Sequence, residues 1–223
     1  VFFMRKIRAA WEHRRRFVDT ASCRVVFGEA DGLPALVVDK FNDVLVIQTM
    51  ALGMDRFKPL IVEALREVTG LTKLYERNDV PVRDKEGLEQ RAGFLGDPFD
   101  TQLTIVENDL ALRVDIAHGQ KTGHFLDQRE NHAAIARISK DARVLDCFTH
   151  TGGFALHAAM YGAKDVLGLD ISEEAVALAR RNAEANGLDE RCRFIAANVF
   201  DFLADASKRG DQWDVVVLDP PSF

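Results

Sequence analysis

The sequence predicts a mixed α/β protein: a doubly wound, Rossmann-like parallel sheet in its second half, preceded by a small α+β domain. Three observations point there. From residue 143 onward, apolar runs at 143–148, 165–170, 193–196 and 214–219 alternate with helical stretches at 153–161, 173–186 and 199–208, the pattern of parallel βαβ units. Each run ends in a polar or glycine-bearing segment, and open sheets of this kind bind ligands beyond the carboxyl ends of their strands. Before residue 100 the pattern differs, with short β runs at 23–27, 35–39 and 44–49 after an amphipathic helix over 1–18.

The elements of the first region, 1–100, follow from local signals. A turn spans Glu29-Ala30-Asp31-Gly32-Leu33-Pro34, and Phe41-Asn42-Asp43 marks a hairpin. Phe57, Ile61, Leu65 and Val68 recur at helical spacing over 54–68, and Gly70 lies just past that helix. A strand at 73–76 leads into a charged stretch, 76–89, and the turn formers of 93–100 read as a connection. Nothing in this region has the makings of a catalytic site.

The second region, 101–223, opens with a hairpin, 103–106 and 111–116, around Glu107-Asn108-Asp109, then a helix over 128–139. In the 173–186 helix, Ser172 is the expected N-cap, Glu173 and Glu174 favour the first turn, and Gly187 stops it. The last strand run meets the end of the sequence, so the sheet is expected to be truncated after its fourth strand. With no initiator Met and an abrupt end at Phe223, the chain reads as an internal piece of a longer protein.

Composition bounds the function. A 47% apolar share over 223 residues supports real cores. No run of 18 apolar residues occurs, so no membrane span is expected. Cys23, Cys147 and Cys192 form no CxxC, consistent with reduced thiols in a cytoplasmic protein. The six histidines show no HExxH pattern, so no bound metal is expected. The net charge of −6 repels nucleic acid unless basic groups are segregated. One segment is: Arg5, Lys6, Arg8, Arg14, Arg15 and Arg16, interleaved with Trp11 and Phe17. The plainer reading is a solvated helix face; the other is an RNA contact.

The strand ends carry the chemistry. After the first comes Asp146-Cys147-Phe148-Thr149-His150-Thr151-Gly152-Gly153-Phe154, whose paired glycines permit a sharp strand-to-helix turn and close approach of a ligand. The second ends at Asp170, placed to accept both hydroxyls of a ribose or, more plainly, to favour the next helix. The third leads to Asn198 and Val199; Asn198 suits an adenine edge or an ordinary N-cap. The fourth ends in Asp219-Pro220-Pro221-Ser222-Phe223, where prolines stiffen a loop beside a carboxylate and an aromatic ring, a clamp for a flat base. The first loop fails the Gly-x-Gly-x-x-Gly spacing of a dinucleotide site. A carboxylate at Asp146 favours a cationic ligand, which points to S-adenosylmethionine rather than NAD.

Beyond these, His118-Gly119-Gln120-Lys121-Thr122-Gly123-His124-Phe125-Leu126-Asp127-Gln128-Arg129, the 146–154 loop and Asp219-Pro220-Pro221 resemble the ribosomal RNA large subunit methyltransferase I family. So do Gly28 to Pro34 and Tyr75-Glu76-Arg77-Asn78-Asp79-Val80, so the resemblance spans essentially the whole chain. It implies methyl transfer from S-adenosylmethionine to carbon 5 of a cytosine in large-subunit ribosomal RNA, with an RNA-binding PUA domain upstream of Val1; the sequence itself leaves the oligomeric state open, a homodimer included. It also implies that Gln120, Lys121, Thr122, Phe125, Asp127, Gln128 and Arg129 cap the cofactor, joining Asp146, Phe148, Thr151, Gly152, Gly153, Asp170, Asn198 and Val199 around it. The residues alone show only a loop and a helix start at 118–129.

The sequence departs from the resemblance twice. Cytosine-5 transfer needs a cysteine thiolate to attack carbon 6, and Asp219 to Phe223 contains none, so the nucleophile is expected beyond Phe223. Asn198 stands where the family has an acid. Cys147 alternates along its strand and reads as a small buried hydrophobe. Asp219, Pro220 and Pro221 are left to orient the target base. The rival functions are methylation of a purine nitrogen, for which Asp-Pro-Pro-aromatic suffices without a cysteine, and a non-catalytic RNA-binding relative.

Overall fold

The computed structural model describes residues 1–221; Ser222 and Phe223 of the expected base clamp lie outside the described residues. The chain forms two compact units, 1–106 with 114–126 and 107–113 with 127–223. The sequence-based border near residue 100 therefore falls inside the first unit.

In the first unit, α1 (Phe2–Phe17) precedes β1 (Ser22–Phe27), β2 (Leu36–Phe41) and β3 (Val44–Thr49). Then come α2 (Leu52–Arg56), α3 (Lys58–Thr69), β4 (Lys73–Asn78), α4 (Val82–Lys85) and β5 (Arg91–Phe94). The strands form one sheet in chain order, antiparallel except for β3 and β4, which run parallel across the α2–α3 crossover. The core lies between the sheet and α1 with α3: Ile7, Val25, Leu36, Ile47, Ile61, Leu65 and Leu74 are buried together. Phe57 is the exception to the expected α3 stripe. It sits at the helix N-cap and is 46% exposed, packing its ring 5.6 Å from Phe3.

The charged stretch after β4 is also ordered differently from expectation. β4 runs two residues further, α4 follows, and β5 occupies part of the expected connection. The reason is a buried ion network. Lys58 Nζ donates to Glu76 at 2.7 Å and Asp55 at 3.0 Å, Arg83 donates to Asp55 at 3.0 Å and to the Thr49 carbonyl, and Asn78 donates to Glu76 at 2.8 Å. These side chains serve one another, which is what permits their burial.

In chain order the hairpin strands β6 (Gln102–Glu107) and β7 (Leu110–Asp115) come next, then α5 (Arg129–Ala134) and α6 (Ala136–Ser139). The single helix expected over 128–139 is thus broken at Ile135. The second unit continues with β8 (Arg143–Cys147), α7 (Gly153–Met160), β9 (Asp165–Asp170), α8 (Glu173–Ala185), β10 (Cys192–Ala196), α9 (Val199–Arg209) and β11 (Val215–Leu218). Its four-stranded sheet is parallel, in the order β10-β9-β8-β11. The chain starts on β8, steps outward to β9 and β10, and returns to the far side of β8 for β11. That reversal is a topological switch point, where such sheets open a crevice at the strand carboxyl ends.

Candidate functional site

Register places the four strand ends side by side. Leu218 pairs with Cys147, Cys147 with Leu169, and Ala196 with Asp170. Neighbouring strands are about 4.8 Å apart, so the loops after β8, β9, β10 and β11 leave one sheet edge across the width of a nucleoside-sized ligand.

Asp146 organises the first of these loops. It is 1% exposed, and its Oδ2 accepts from Thr149 Oγ1 at 2.6 Å and from the Ala155 backbone N–H at 3.0 Å. One carboxylate oxygen therefore ties strand, loop and helix together, taking the role of an N-cap that Gly152 has no side chain to fill. Oδ1 keeps no protein partner among the described residues. Burial raises the Asp146 carboxyl to about 7; the bonds from Thr149 and Ala155 oppose the shift, and the charges of Asp219 and Asp170 add to it.

The loop backbone is strained. Phe148 and His150 hold φ of +61° and +50°, in the left-handed region that costs a side chain energy, and Gly152 lies at +91°. A β-carbon on Gly152 would also come within 3.2 Å of Leu156 and Phe194. Gly153 is required for a different reason: a β-carbon there would stand 2.6 Å from His132 Nε2.

Asp170 holds the same loop from the next strand. Its Oδ2 accepts from the His150 N–H at 2.9 Å and its Oδ1 from the Ser172 N–H at 3.0 Å. Each oxygen retains a lone pair for a ligand hydroxyl. Ser172 is the N-cap of α8, accepting from Ala175 N. Asn198 caps α9 through Oδ1, accepting from Phe200 and Asp201 N–H groups, which leaves its amide nitrogen for other work. The side chain of Val199 is buried in the core with Leu145, Cys147, Leu167 and Leu169, so only its backbone can face a ligand. Phe148 and the exposed Phe200 meet edge to face at 6.0 Å. Asp219 is exposed and accepts from Gln128 Nε2 at 3.0 Å, while Gln128 Oε1 accepts from Asn131 at 2.7 Å. Pro220 and Pro221 are exposed beside it, as is Asp127. Thr151 is half-buried, and its carbonyl accepts from Asn182 at 3.2 Å. Arg129 Nε reaches Asn108 Oδ1 at 3.4 Å.

The rest of the expected cap belongs to the first unit. Gln120 is exposed, and Lys121 lays its ammonium 4.4 Å over the ring of Phe125. The buried Thr122 hydroxyl donates at 2.6 Å to Asp39, which also takes a bidentate pair from Arg24. Arg77 fixes the start of this segment by donating to the carbonyls of Ile116 and Gly119, both at 2.8 Å.

A buried trio that sequence spacing did not reveal lies behind the 148–153 loop: Glu107, His132 and His157. Ligands of a tetrahedral zinc stand about 3.4 Å apart. Here Glu107 Oε1 is 2.7 Å from His132 Nδ1 and 3.9 Å from His157 Nε2, the spacing of a hydrogen bond and of a looser neighbour. His157 Nδ1 lies 2.7 Å from the Gly153 carbonyl and so carries the proton; Nε2 then accepts from Asn108 at 3.3 Å. Burial lowers His157 to about 4, which keeps it neutral for this role. The trio thus braces the first turn of α7. No motif could have shown it, because its members come from the β6–β7 hairpin, α5 and α7.

Comparison with known proteins agrees with this geometry. The family model of S-adenosylmethionine-dependent methyltransferases matches residues 86–223. Ribosomal RNA large subunit methyltransferase I of Aeromonas salmonicida is 41% identical over 227 residues, covering 100% of this chain and 57% of that protein. The Aeromonas hydrophila protein of the same name is likewise 41% identical, with the same coverages. The chain thus spans little more than half the length of these relatives. Among solved structures, a methyltransferase complexed with S-adenosylhomocysteine superimposes with a TM-score of 0.87 at 25% identity, covering 100% of this chain and 58% of that one. The chain belongs to the S-adenosylmethionine-dependent methyltransferase family.

Proposed function

We propose that this chain binds S-adenosylmethionine at the carboxyl edge of its parallel sheet and is part of an enzyme that methylates large-subunit ribosomal RNA at carbon 5 of a cytosine. The register that sets Asp146, Asp170 and Asp219 at neighbouring strand ends of one sheet edge carries the cofactor part. Such an acidic edge suits a cationic ligand. The cofactor supplies an electrophilic methyl group on a positively charged sulfonium.

The residues divide the work. The free lone pairs of Asp170 accept ribose hydroxyls. Asp146 and the first N–H groups of α7 receive the amino-acid tail, whose carboxylate is favoured at a helix N-terminus. Phe148 with Phe200 gives the adenine an apolar wall, and Asn198 offers its amide nitrogen to a ring acceptor. Gln120, Lys121, Thr122, Phe125, Asp127, Gln128 and Arg129 join this proposal on the strength of their motif. Asp219, stiffened by Pro220 and Pro221, orients the target base.

The thiolate that cytosine-5 chemistry needs is none of the three cysteines present. Cys23, Cys147 and Cys192 are buried, and burial pushes their thiols up to about 11, 11 and 12. This reading places the nucleophile after Phe223. The RNA part rests on the 41% identity to proteins named for large-subunit ribosomal RNA. Among the described residues no helix is long and apolar enough to cross a membrane, and we place the enzyme in the cytoplasm with its thiols reduced.

Methylation of a purine nitrogen is the second reading, favoured by the exposed Asp219-Pro220-Pro221 corner and the unsuitable thiols. Calorimetry of S-adenosylmethionine with the full-length protein tests the cofactor site; no binding, or an Asp170→Ala variant that binds like wild type, would sink it. Mass analysis of nucleosides from ribosomal RNA incubated with enzyme and labelled cofactor then separates 5-methylcytosine from a methylated purine.

A further inference from the structure

We propose that the outward face of α1 is an RNA contact that follows the phosphate backbone through Arg5, Arg8, Arg15 and Arg16. This rests on the reading of the substrate as RNA. Residues 1–18 carry six cations against one acid, Glu12. Since the whole chain is −6 and this segment +5, the remainder carries −11. Positive charge is therefore segregated onto one helix of an acidic protein, as selective attraction of a polyanion requires.

The helix sorts its own residues. Ile7 and Ala10 are buried, and Phe3, Met4 and Trp11 pack on the same core. At 100° per residue, Arg5, Arg8, Arg15 and Arg16 share an arc of roughly 100° away from that face, and all four are exposed. Arg14 is different: it is half-buried and donates to both oxygens of Asp31, at 2.6 and 2.8 Å, and so serves the fold. The pairs within the stripe are loose. Arg8 lies 3.6 Å from Glu67 and Arg15 3.2 Å from Glu12, with all four side chains about half exposed or more. Exposed pairs of this kind contribute little and exchange readily for phosphate. Arg5 to Arg16 spans roughly 16 Å of helix, the length over which one nucleic-acid strand passes about five phosphates. At its end Phe17 is 71% exposed, with its ring 4.8 Å from His13, a platform on which an unpaired base can stack.

RNA fits this face better than a membrane does. The apolar side that an interfacial helix would insert into lipid is buried in the core, and the stripe is arginine, whose planar fork matches phosphate.

The test measures binding of a large-subunit ribosomal RNA transcript to the full-length protein over a range of KCl concentrations. Changing Arg5, Arg8, Arg15 and Arg16 together to Gln keeps helix propensity, which far-UV circular dichroism checks. We expect the slope of log affinity against log salt to become shallower by about 3, with S-adenosylmethionine affinity unchanged. The same four positions as Lys should retain the slope. A control of equal charge, Lys164, Arg193, Lys208 and Arg209 to Gln, should lower it by less than 1. An unchanged slope in the α1 variant, or an equal loss in the control, overturns the inference alone. So does α1-dependent binding to phosphatidylserine vesicles with RNA binding intact. Wild-type protein that fails to bind the transcript overturns it together with the RNA reading.

Discussion

The imidazole of His132 occupies the space that a side chain on Gly153 would need. A β-carbon there would lie 2.6 Å from Nε2, while Nδ1 of the same ring sits 2.7 Å from Glu107. The buried trio and the 148–153 loop are thus one mechanical unit, and the glycine that opens α7 answers to a histidine on α5.

Gly153→Ala should therefore destabilise the second unit by about 2 kcal/mol through overpacking and weaken S-adenosylmethionine binding. In a His132→Ala background the sign should reverse, because Ala is the better helix former by about 1 kcal/mol once the clash is gone. Urea unfolding of the four proteins of this double-mutant cycle measures the coupling.

Asp146 should leave a pH signature. Its carboxyl is raised from 3.8 to about 7 in the folded state, so the native protein holds a proton that the unfolded chain has already lost. The stability this contributes is fully present below about pH 4 and is lost as pH rises through about 7. Relative to Asp146→Asn, the wild type should lose on the order of a few kcal/mol between pH 4 and 8. Parallel urea midpoints across that range check it. S-adenosylmethionine affinity of the wild type should rise over the same interval, as the ionised carboxylate receives the cation.

Asn198 caps α9 and is proposed here to contact the cofactor as well, and two substitutions separate the two roles. Asn198→Ala should cost about 1 kcal/mol by uncapping α9 and also weaken cofactor binding. Asn198→Asp keeps the oxygen that Phe200 and Asp201 need, so its melting temperature should match or exceed wild type. Calorimetric cofactor titration of both variants gives the second readout.

Lys58→Ala tests the buried network of the first unit. Removing the ammonium takes away the partner 2.7 Å from Glu76 and leaves that carboxylate to Asn78 and Arg91, so the loss should fall below the roughly 3 to 5 kcal/mol of a buried charge stripped of its partner. Chemical unfolding should show that loss with cofactor affinity unchanged.

Much of the fold was legible because its signals are local. Apolar runs bounded by Ser172, Gly187 and the prolines after Asp219 announce strands and helices through capping and turn preferences, and the structure has each of them. The strand-end residues Asp146, Asp170 and Asn198 were legible for the same reason, since alternation alone puts them at one edge. Where local signals conflicted with packing they misled. Phe57 shares the α3 period but lies at the cap, and the 128–139 stretch breaks at Ile135.

What the sequence by itself determined is the alternation of strands and helices after residue 143, the parallel sheet it builds and the polar residue that closes each strand. Tertiary structure alone decided which of those polar groups remain available. Packing commits Asn198 Oδ1 to a helix, Thr122 to Asp39 and the Val199 side chain to the core, and it joins Glu107, His132 and His157 across 50 residues of chain. The physical reason is range. Propensity and capping act over a few residues, whereas a buried hydrogen bond or a close contact is set by elements whose separation along the chain carries no signal of their meeting.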